Sequence, residues 1–385
     1  MCSSNRRRSI YCILPPNILI NVAKRGTQEQ RDAVLETLSV DQSLRASRTQ
    51  FALLGGNKVA HESITATPPQ KQRTIYDTNH TQTLPGTMVR SEGQAAVADV
   101  SVNQAYDGLG NTFDFYYKSY QRNSIDNAGL RLNATVHYGS KYDNAFWNGQ
   151  EMIFGDGDGV LFNSFTGSVD VIGHELTHGV TGSEANLIYL GQSGALNESI
   201  SDVFGSCVKQ FVLNQTADQA DWLIGAGLLA KSIQGVALRS MKAPGTAYDD
   251  PMLGKDDQPA DMAHYVHTAS DSGGVHTNSG IPNRAFFLAA SAIGGFSWLK
   301  AGQVWYDTLT DPRLKPQANF ASFANLTVLN AGRLYGSTSP EKKAVSDAWH
   351  TVGVLKQPLS IVNLPLNPTQ RGETTPSDGA QQPGR

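Results

Sequence analysis

The chain has 385 residues, of which 39% are apolar and 17% charged, and its formal net charge is −3. That length leaves room for two domains with appendages, and the near-neutral balance excludes nucleic acid as an expected partner. No stretch approaches the roughly 20 apolar residues of a membrane helix, and Cys2, Cys12 and Cys207 make no disulfide framework.

The front of the chain stands apart in charge. Residues 1–70 hold nine Lys/Arg against five Asp/Glu, a net of +4, which leaves −7 for the rest. A basic front on an acidic body fits an intramolecular partner, and fits a merely uneven surface equally well. Arg6-Arg7-Arg8 with the apolar run that follows imitates a secretion signal. Pro15-Pro16 cuts that run short and no small-residue cleavage site follows, so no standard signal is expected. Pro15-Pro16-Asn17-Ile18-Leu19 reads as a rigid, extended entry. Thr27-Gln28-Glu29-Gln30 reads as a capping box, and Ala33, Val34, Leu35 and Leu38 recur at helical spacing behind it. An extended piece and a helix or two are too little to hold a core, so this unit should dock on the rest.

From Gly55 to Arg73 the chain is polar and turn-rich, an exposed linker open to proteases. Short strands and turns follow to about Gly167. Thr74–Asp77 and Ala134–Tyr138 are expected as strands, Leu84-Pro85-Gly86 and Asp156-Gly157-Asp158-Gly159 as turns, and Ala95–Lys118 as a helix. The Asp156–Gly159 turn lacks the spacing and closing Glu of an EF-hand calcium loop. From Val169 the period turns helical and stays so to Val354, with glycine-rich breaks. Strands first and helices later predict an α+β fold in two lobes. The expected divisions are 1–70, a first lobe over 71–188, a second over 189–356, and a disordered tail over 357–385 rich in Pro, Gln, Thr and Gly.

The chemistry concentrates in Val171-Ile172-Gly173-His174-Glu175-Leu176-Thr177-His178. Residues four apart share one helix face, so His174 and His178 can aim two imidazoles at one ion. Neutral imidazole suits zinc, and the neighbouring Glu175 suits a general base beside it. H-E-x-x-H alone occurs by chance. Here it is followed by Gly194-Ala195-Leu196-Asn197-Glu198-Ser199-Ile200-Ser201-Asp202, which places Glu198 twenty residues beyond His178, room for a second helix that returns to the metal. Asp202, one turn further, can accept from the outer nitrogen of a ligand imidazole. No histidine follows His178 in the H-x-x-G-x-x-H pattern, so the metzincin reading fails. A zinc aminopeptidase with a distant Glu and a catalytically silent zinc scaffold remain as alternatives.

His-Glu-Leu-Thr-His, Gly-Ala-Leu-Asn-Glu-Ser-Ile-Ser-Asp and Gly273-Gly274-Val275-His276-Thr277-Asn278-Ser279-Gly280 together resemble the signature set of the thermolysin family of zinc endopeptidases, from about Thr74 to Leu355. Cys12–Leu19 resembles the short propeptide of its protealysin-like branch. The resemblance implies a two-lobed metalloprotease with the H-E-x-x-H helix between a mixed-sheet lobe and a helical lobe. It implies one catalytic Zn2+ held by His174, His178 and Glu198, with Glu175 as general base and Asp202 orienting His174. It implies His276, held by Asp271, and Tyr189 as donors to the oxyanion. Asn144 and Ala145 would pair with the substrate backbone, Arg239 would grip a substrate carbonyl, and Phe162, Phe165, Val171 and Leu238 would line the pocket after the scissile bond. An apolar lining implies cleavage before Leu, Phe, Ile or Val.

Four further implications depend on where this chain departs from or extends that pattern. Asp170 and Asp221 align with carboxylates of a calcium site, but Lys209, Leu223 and Ala226 stand where further acidic ligands are expected. A hard cation needs six or more oxygens, so calcium is doubtful and the Lys209 ammonium is expected in its place. Residues 1–70 would act as an intramolecular inhibitor, with protein or peptide substrates as the other partners, in a monomer. Cys12 could ligate zinc in the precursor. Secretion is implied by the family, with cytoplasmic storage of the precursor as the other reading.

Overall fold

The computed structural model describes residues 11–53 and 69–356, with side chains described over 12–41 and 69–356. The first ten residues, nearly all of the expected linker and the expected tail from 357 lie outside the described residues.

The front segment supplies β1 (Tyr11–Cys12), α1 (Pro16–Arg25) and α2 (Gln28–Leu53). The extended entry expected over Pro15–Leu19 is corrected: only Pro15 is extended, and Pro16 opens α1 at its first position, where a missing N–H costs nothing and the fixed φ suits a helix. The capping box forms: Gln30 N–H donates to Thr27 Oγ1, and Thr27 N–H donates back to Gln30 Oε1 at 2.9 Å. Ile13, Leu14, Ile18, Leu19, Val22 and Val34 are fully buried, and they belong to the same apolar cluster as the body. At about 1.5–3 kcal/mol for each buried side chain, this burial docks a segment with no core of its own.

The first lobe then runs β2 (Arg73–Asp77), β3 (Thr87–Ser91), α3 (Val100–Tyr120), β4 (Leu132–Val136), β5 (Ala145–Trp147) and β6 (Glu151–Phe154). With β1 these strands form one six-stranded sheet in the order β1-β5-β6-β4-β2-β3. β2, β4 and β6 are mutually parallel, and the edge pairs β2–β3, β5–β6 and β1–β5 are antiparallel. α3 starts five residues later than the pattern predicts, because Asp99 caps it by accepting from Val102 N–H. β4 starts two residues early and ends before His137, whose left-handed φ of 54° breaks the strand.

α4 (Val169–Ser183) carries the H-E-x-x-H stretch and packs along α5 (Gly191–Leu213). A Cβ on Gly205 would meet the Asp170 carbonyl oxygen at 2.4 Å, so glycine is what lets the two backbones approach. The helical reading from Val169 to Val354 is corrected between residues 214 and 270. That interval holds short strands, among them β7 (Leu223–Ile224) and β8 (Arg239–Ser240), and no α-helix. Left-handed glycines at 225, 227, 245 and 254 turn the chain too often for a helix to form. Helices resume with α6 (Asp271–Asn278), α7 (Gly280–Ile293), α8 (Ala301–Leu309), α9 (Phe320–Tyr335) and α10 (Pro340–Thr351). The result is the expected α+β arrangement of a mixed-sheet region followed by a helical one.

Candidate active site

α4 places His174 and His178 on one face, with ring centroids 4.6 Å apart and the two Nε2 atoms 3.0 Å apart. Each outer nitrogen has a partner on α5. His174 Nδ1 meets Asp202 Oδ1 at 2.8 Å, and His178 Nδ1 meets Asn197 Oδ1 at 2.8 Å with Ser201 Oγ at 3.0 Å. With the outer nitrogens turned to these acceptors, the lone pairs of both Nε2 atoms point into one space. Glu198 closes the third side, with Oε2 3.5 Å from His174 Nε2 and Oε1 3.5 Å from His178 Nε2. All three residues are buried, and their donor atoms lie within 4.8 Å of one another.

This donor set fits a zinc ion. Two imidazole nitrogens facing each other across 3.0 Å, with a buried carboxylate alongside, call for a cation at the point of convergence. The field there is strongly negative. Burial alone would push the His174 imidazole down, yet Asp202 and Glu198 raise its pKa to about 9. Burial would likewise push Asp202 up, but the Arg239 guanidinium and His174 hold it at about 2. Asp202 is the hub behind the ligands. It accepts two parallel bonds from Arg239, Nε and Nη2, at 2.8 Å each, and a third from Asn283 Nδ2 at 2.8 Å.

Glu175, next to His174 on α4, is fully buried, and its Oε2 accepts from the Trp147 backbone N–H at 3.2 Å. That bond ties the carboxylate to β5, the strand at the cleft. Opposite, the backbone of α6 is left-handed at Asp271, Ser272, Gly273 and Gly274, with φ of 51°, 51°, 86° and 73°. The bend swings Asp271 beneath His276: Asp271 Oδ1 lies 2.8 Å from His276 Nδ1, and Oδ2 accepts from His276 N–H at 2.9 Å. Two non-glycine residues held at positive φ are strained, and such strain gathers at functional sites. Tyr189 donates its hydroxyl to Glu198 Oε1 and lies 3.3 Å from His276 Nε2.

The front segment occupies the cleft between these groups. β1 pairs antiparallel with β5, with Tyr11 opposite Trp147 and Cys12 opposite Phe146. The ladder continues as Ile13 N–H donates to Ala145 O at 3.2 Å and Leu14 N–H to Asn144 Oδ1 at 3.2 Å. The Cys12 carbonyl accepts from His276 Nε2 at 3.0 Å, and the Ile13 carbonyl accepts from Arg239 Nη1 at 3.0 Å. Ile13 is fully buried in the cluster that also holds Phe162, Phe165, Val171 and Leu238. Asn144, Ala145 and Arg239, expected to hold a substrate, and His276, expected at the oxyanion, thus all hold this chain's own backbone.

The Cys12 side chain lies away from the zinc-fitting cluster. It packs in a small cluster with Tyr138, Tyr142, Phe146 and Ile153, and it is absent from the group of convergent donors, so thiolate ligation of zinc has no geometric support. Alternation along an extended chain explains the outcome: the strand turns the Cys12 carbonyl to the site and its side chain to the aromatic cluster. Cys207 sits in α5 as a core residue, its thiol pushed up to about 12 by burial.

Two residues of α2 matter here that sequence reasoning passed over. The buried Asp41 accepts from Asn144 Nδ2 at 2.7 Å and from the Tyr142 hydroxyl at 2.9 Å. Thr37, one turn earlier, accepts from Asp143 N–H at 3.3 Å. Asp41 thereby fixes the Asn144 amide with its oxygen toward Leu14. The only sequence signal was an i, i+4 polar pair on an otherwise amphipathic helix.

At the far end of α4, Lys209 Nζ lies 3.1 Å from Asp170 Oδ2 and 2.9 Å from Asp221 Oδ1, and it donates to the Leu223 carbonyl at 2.9 Å. Burial opposes the charge on Lys209, but the two carboxylates raise its pKa.

Profiles of the thermolysin metallopeptidase catalytic domain and alpha-helical domain match residues 31–182 and 185–354. An extracellular metalloprotease of Pectobacterium carotovorum subsp. carotovorum is 54% identical over 349 residues, 91% of this chain and 98% of its own. Protease PrtS of Photorhabdus sp. (strain Az29) is 48% identical over 89% of this chain and 91% of its own. The solved precursor of protealysin, a metalloproteinase from Serratia proteamaculans, superposes with a TM-score of 0.81 at 54% identity, covering 90% of this chain and 100% of that one. With the zinc-fitting cluster of α4 and α5 already in place, these matches establish that the chain belongs to the thermolysin family of metallopeptidases, in its protealysin-like branch, and is a metalloendopeptidase.

Proposed function

We propose that this chain is the latent precursor of a secreted neutral endopeptidase inhibited by its front segment, residues 1–70, of which Cys12–Leu14 lie in the cleft as a substrate lies. The observation that carries this reading is the run of four bonds from Cys12, Ile13 and Leu14 to His276, Arg239, Ala145 and Asn144. An exposed sheet edge accepts an extended peptide as an added strand, and β5 has already accepted β1.

In the freed enzyme the roles follow from the same groups. His174, His178 and Glu198 hold zinc, which when bound supplies a Lewis acid and activates water at neutral pH. Glu175 takes a proton from the attacking water and returns it to the leaving amine. His276, with its Nδ1 held by Asp271, and the Tyr189 hydroxyl stabilise charge as it develops on the scissile carbonyl oxygen. Asp202 keeps His174 turned to the ion. Arg239 grips the carbonyl of the next residue, while Asn144 and Ala145 hold the peptide in strand register. Phe162, Phe165, Val171 and Leu238 form the pocket after the scissile bond, and its apolar lining sets cleavage before Leu, Phe, Ile or Val. Discrimination from such a pocket is about 1–3 kcal/mol per methylene.

Lys209, paired with Asp170 and Asp221, stands in for calcium, with Leu223 and Ala226 supplying no carboxylate. The body is a monomer with lobes at 71–188 and 189–356. Export is supported by relatives named as extracellular proteases from Pectobacterium carotovorum and Serratia marcescens.

The test is expression of the wild type beside Glu175→Ala, followed by intact mass, N-terminal sequencing, zinc content and casein hydrolysis. The wild type should lose its front segment as activity appears. Glu175→Ala should keep full length and zinc and digest nothing. Casein hydrolysis by Glu175→Ala, or an uncut precursor as active as the cut enzyme, defeats the reading.

A further inference from the structure

A second group of histidines and carboxylates lies outside the cleft, where the parallel strands of the first lobe end. His80 follows β2, His137 follows β4 directly, and Asp156 follows β6. These three strands are neighbours in the sheet and run the same way, so their carboxyl ends open on one place. In open sheets with parallel strands, that end is where ligands bind. The Asp156–Gly159 turn belongs to the same edge, and the catalytic chemistry makes no use of it.

The geometry is that of a ligand set. His137 Nδ1 lies 2.9 Å from both carboxylate oxygens of Asp156, and His80 Nδ1 lies 3.4 Å from Asp156 Oδ2. One donor atom from each of the three residues lies within 4.8 Å of the others. The two imidazole rings are 5.4 Å apart. Both histidines adopt left-handed backbones, φ 62° at His80 and 54° at His137, and His80 N–H donates to the His137 carbonyl at 2.9 Å. Two adjacent non-glycine residues held in that region side by side are costly, which points to a role beyond connection.

The outer nitrogen completes the pattern. His137 Nε2 lies 2.9 Å from Asp99 Oδ2. A ligand histidine is oriented in this way, its far nitrogen bound to a carboxylate so that the near one faces the ion. His174 and Asp202 stand in the same relation in the cleft. His80 is more than half exposed, which leaves an entry path and room for water to complete the coordination.

We propose that His80, His137 and Asp156 form a second site for a divalent transition-metal ion such as zinc, pinning the ends of β2, β4 and β6 together. The ion takes the place of the proton shared between His137 Nδ1 and Asp156, and His137 Nε2 keeps its bond to Asp99. Imidazole nitrogens select zinc, nickel or copper over calcium, which needs six to eight oxygens.

The test uses the full-length chain carrying Glu175→Gln, so that it stays uncut, dialysed to equilibrium against micromolar zinc. Zinc per chain is measured by elemental analysis, and melting temperature is followed as zinc is added. Two equivalents are expected, with the second raising the melting temperature. Adding His80→Ala, or His80→Gln, should leave one equivalent and remove that second rise. His80 is exposed and fills no core, so neither variant should impair folding. A single equivalent in the His80-containing chain overturns the proposal, as do two equivalents that survive His80→Ala.

Discussion

α4 and α5 meet at two clusters of buried charge one turn apart, and the clusters are balanced in opposite ways. Around Asp170, the chain delivers its own cation: Lys209 reaches Asp170 and Asp221, and every charge in the group is covalently attached. Around His174, the donors His174, His178 and Glu198 converge with no lysine or arginine among them, and the Arg239 guanidinium is engaged with Asp202 behind. Burying charge is costly unless it is paired, so each cluster must be completed. One is complete as folded. The other is complete only with an ion. The position of the cation, inside or outside the sequence, separates a structural pairing from a reactive centre.

The sharpest way to break that comparison is to remove the ion. Dialysis against a chelator should abolish peptide hydrolysis in the processed enzyme, and zinc should restore it where calcium does not. Restoration by calcium alone would place the dependence at the wrong cluster. Next in size is Glu175→Gln, which keeps the ligands and removes the carboxylate proposed as the base. General acid–base catalysis typically contributes 10²–10⁴-fold, and a loss of kcat of that order, with zinc content unchanged, is expected. His276→Ala removes one donor proposed for the oxyanion and should lower kcat about 100- to 1000-fold with little change in KM. An effect on KM alone would make His276 a binding residue.

The Lys209 cluster should answer in stability instead of rate. Lys209→Met leaves Asp170 buried without its cation, and breaking a buried pair in this way costs about 3–5 kcal/mol. Urea unfolding of the Glu175→Ala precursor, with and without Lys209→Met, measures this. Adding Asp170→Asn should return part of the loss, because the uncompensated charge is then gone. A Lys209→Met protein as stable as its parent would reduce the cluster to a surface pair.

The sequence made these two clusters legible to different degrees. His174, Glu175, His178 and Glu198 were readable because helix geometry converts a four-residue spacing into one face, and twenty residues allow one return. H-E-x-x-H alone left an aminopeptidase and a silent scaffold open. Those readings close only with the thermolysin-family match along both lobes. The docking of the front segment was legible because it is apolar and has no core, but the extended reading held only up to Pro15, since Pro16 opens α1. Its register was not legible, because a strand shifted by one residue exchanges its faces, and the Cys12 side chain went to the aromatic cluster. Asp41 was invisible for a related reason: its partners Asn144 and Tyr142 lie about a hundred residues away, and no local pattern encodes them. The stretch from 214 to 270 was misread as largely helical because apolar spacing outweighed its left-handed glycines.

The smallest expected effect is also the one that tests the comparison most directly: calcium should do nothing. A bound ligand stabilises a protein by RT ln(1 + [L]/Kd), so even a modest calcium site would lift the melting temperature steadily as calcium rises. At the Asp170 cluster a calcium ion would have to displace an ammonium that already holds two carboxylates and the Leu223 carbonyl. It would gain at most those oxygens, and the displaced ammonium would stay beside it, repelling it, because Lys209 is tethered to α5. Six or more oxygens are needed, and Leu223 and Ala226 add no carboxylate. Thermal melts of the Glu175→Ala precursor should therefore coincide with and without millimolar calcium. A large rise would mean that the ammonium yields to the ion, and that both clusters between α4 and α5 are metal sites after all.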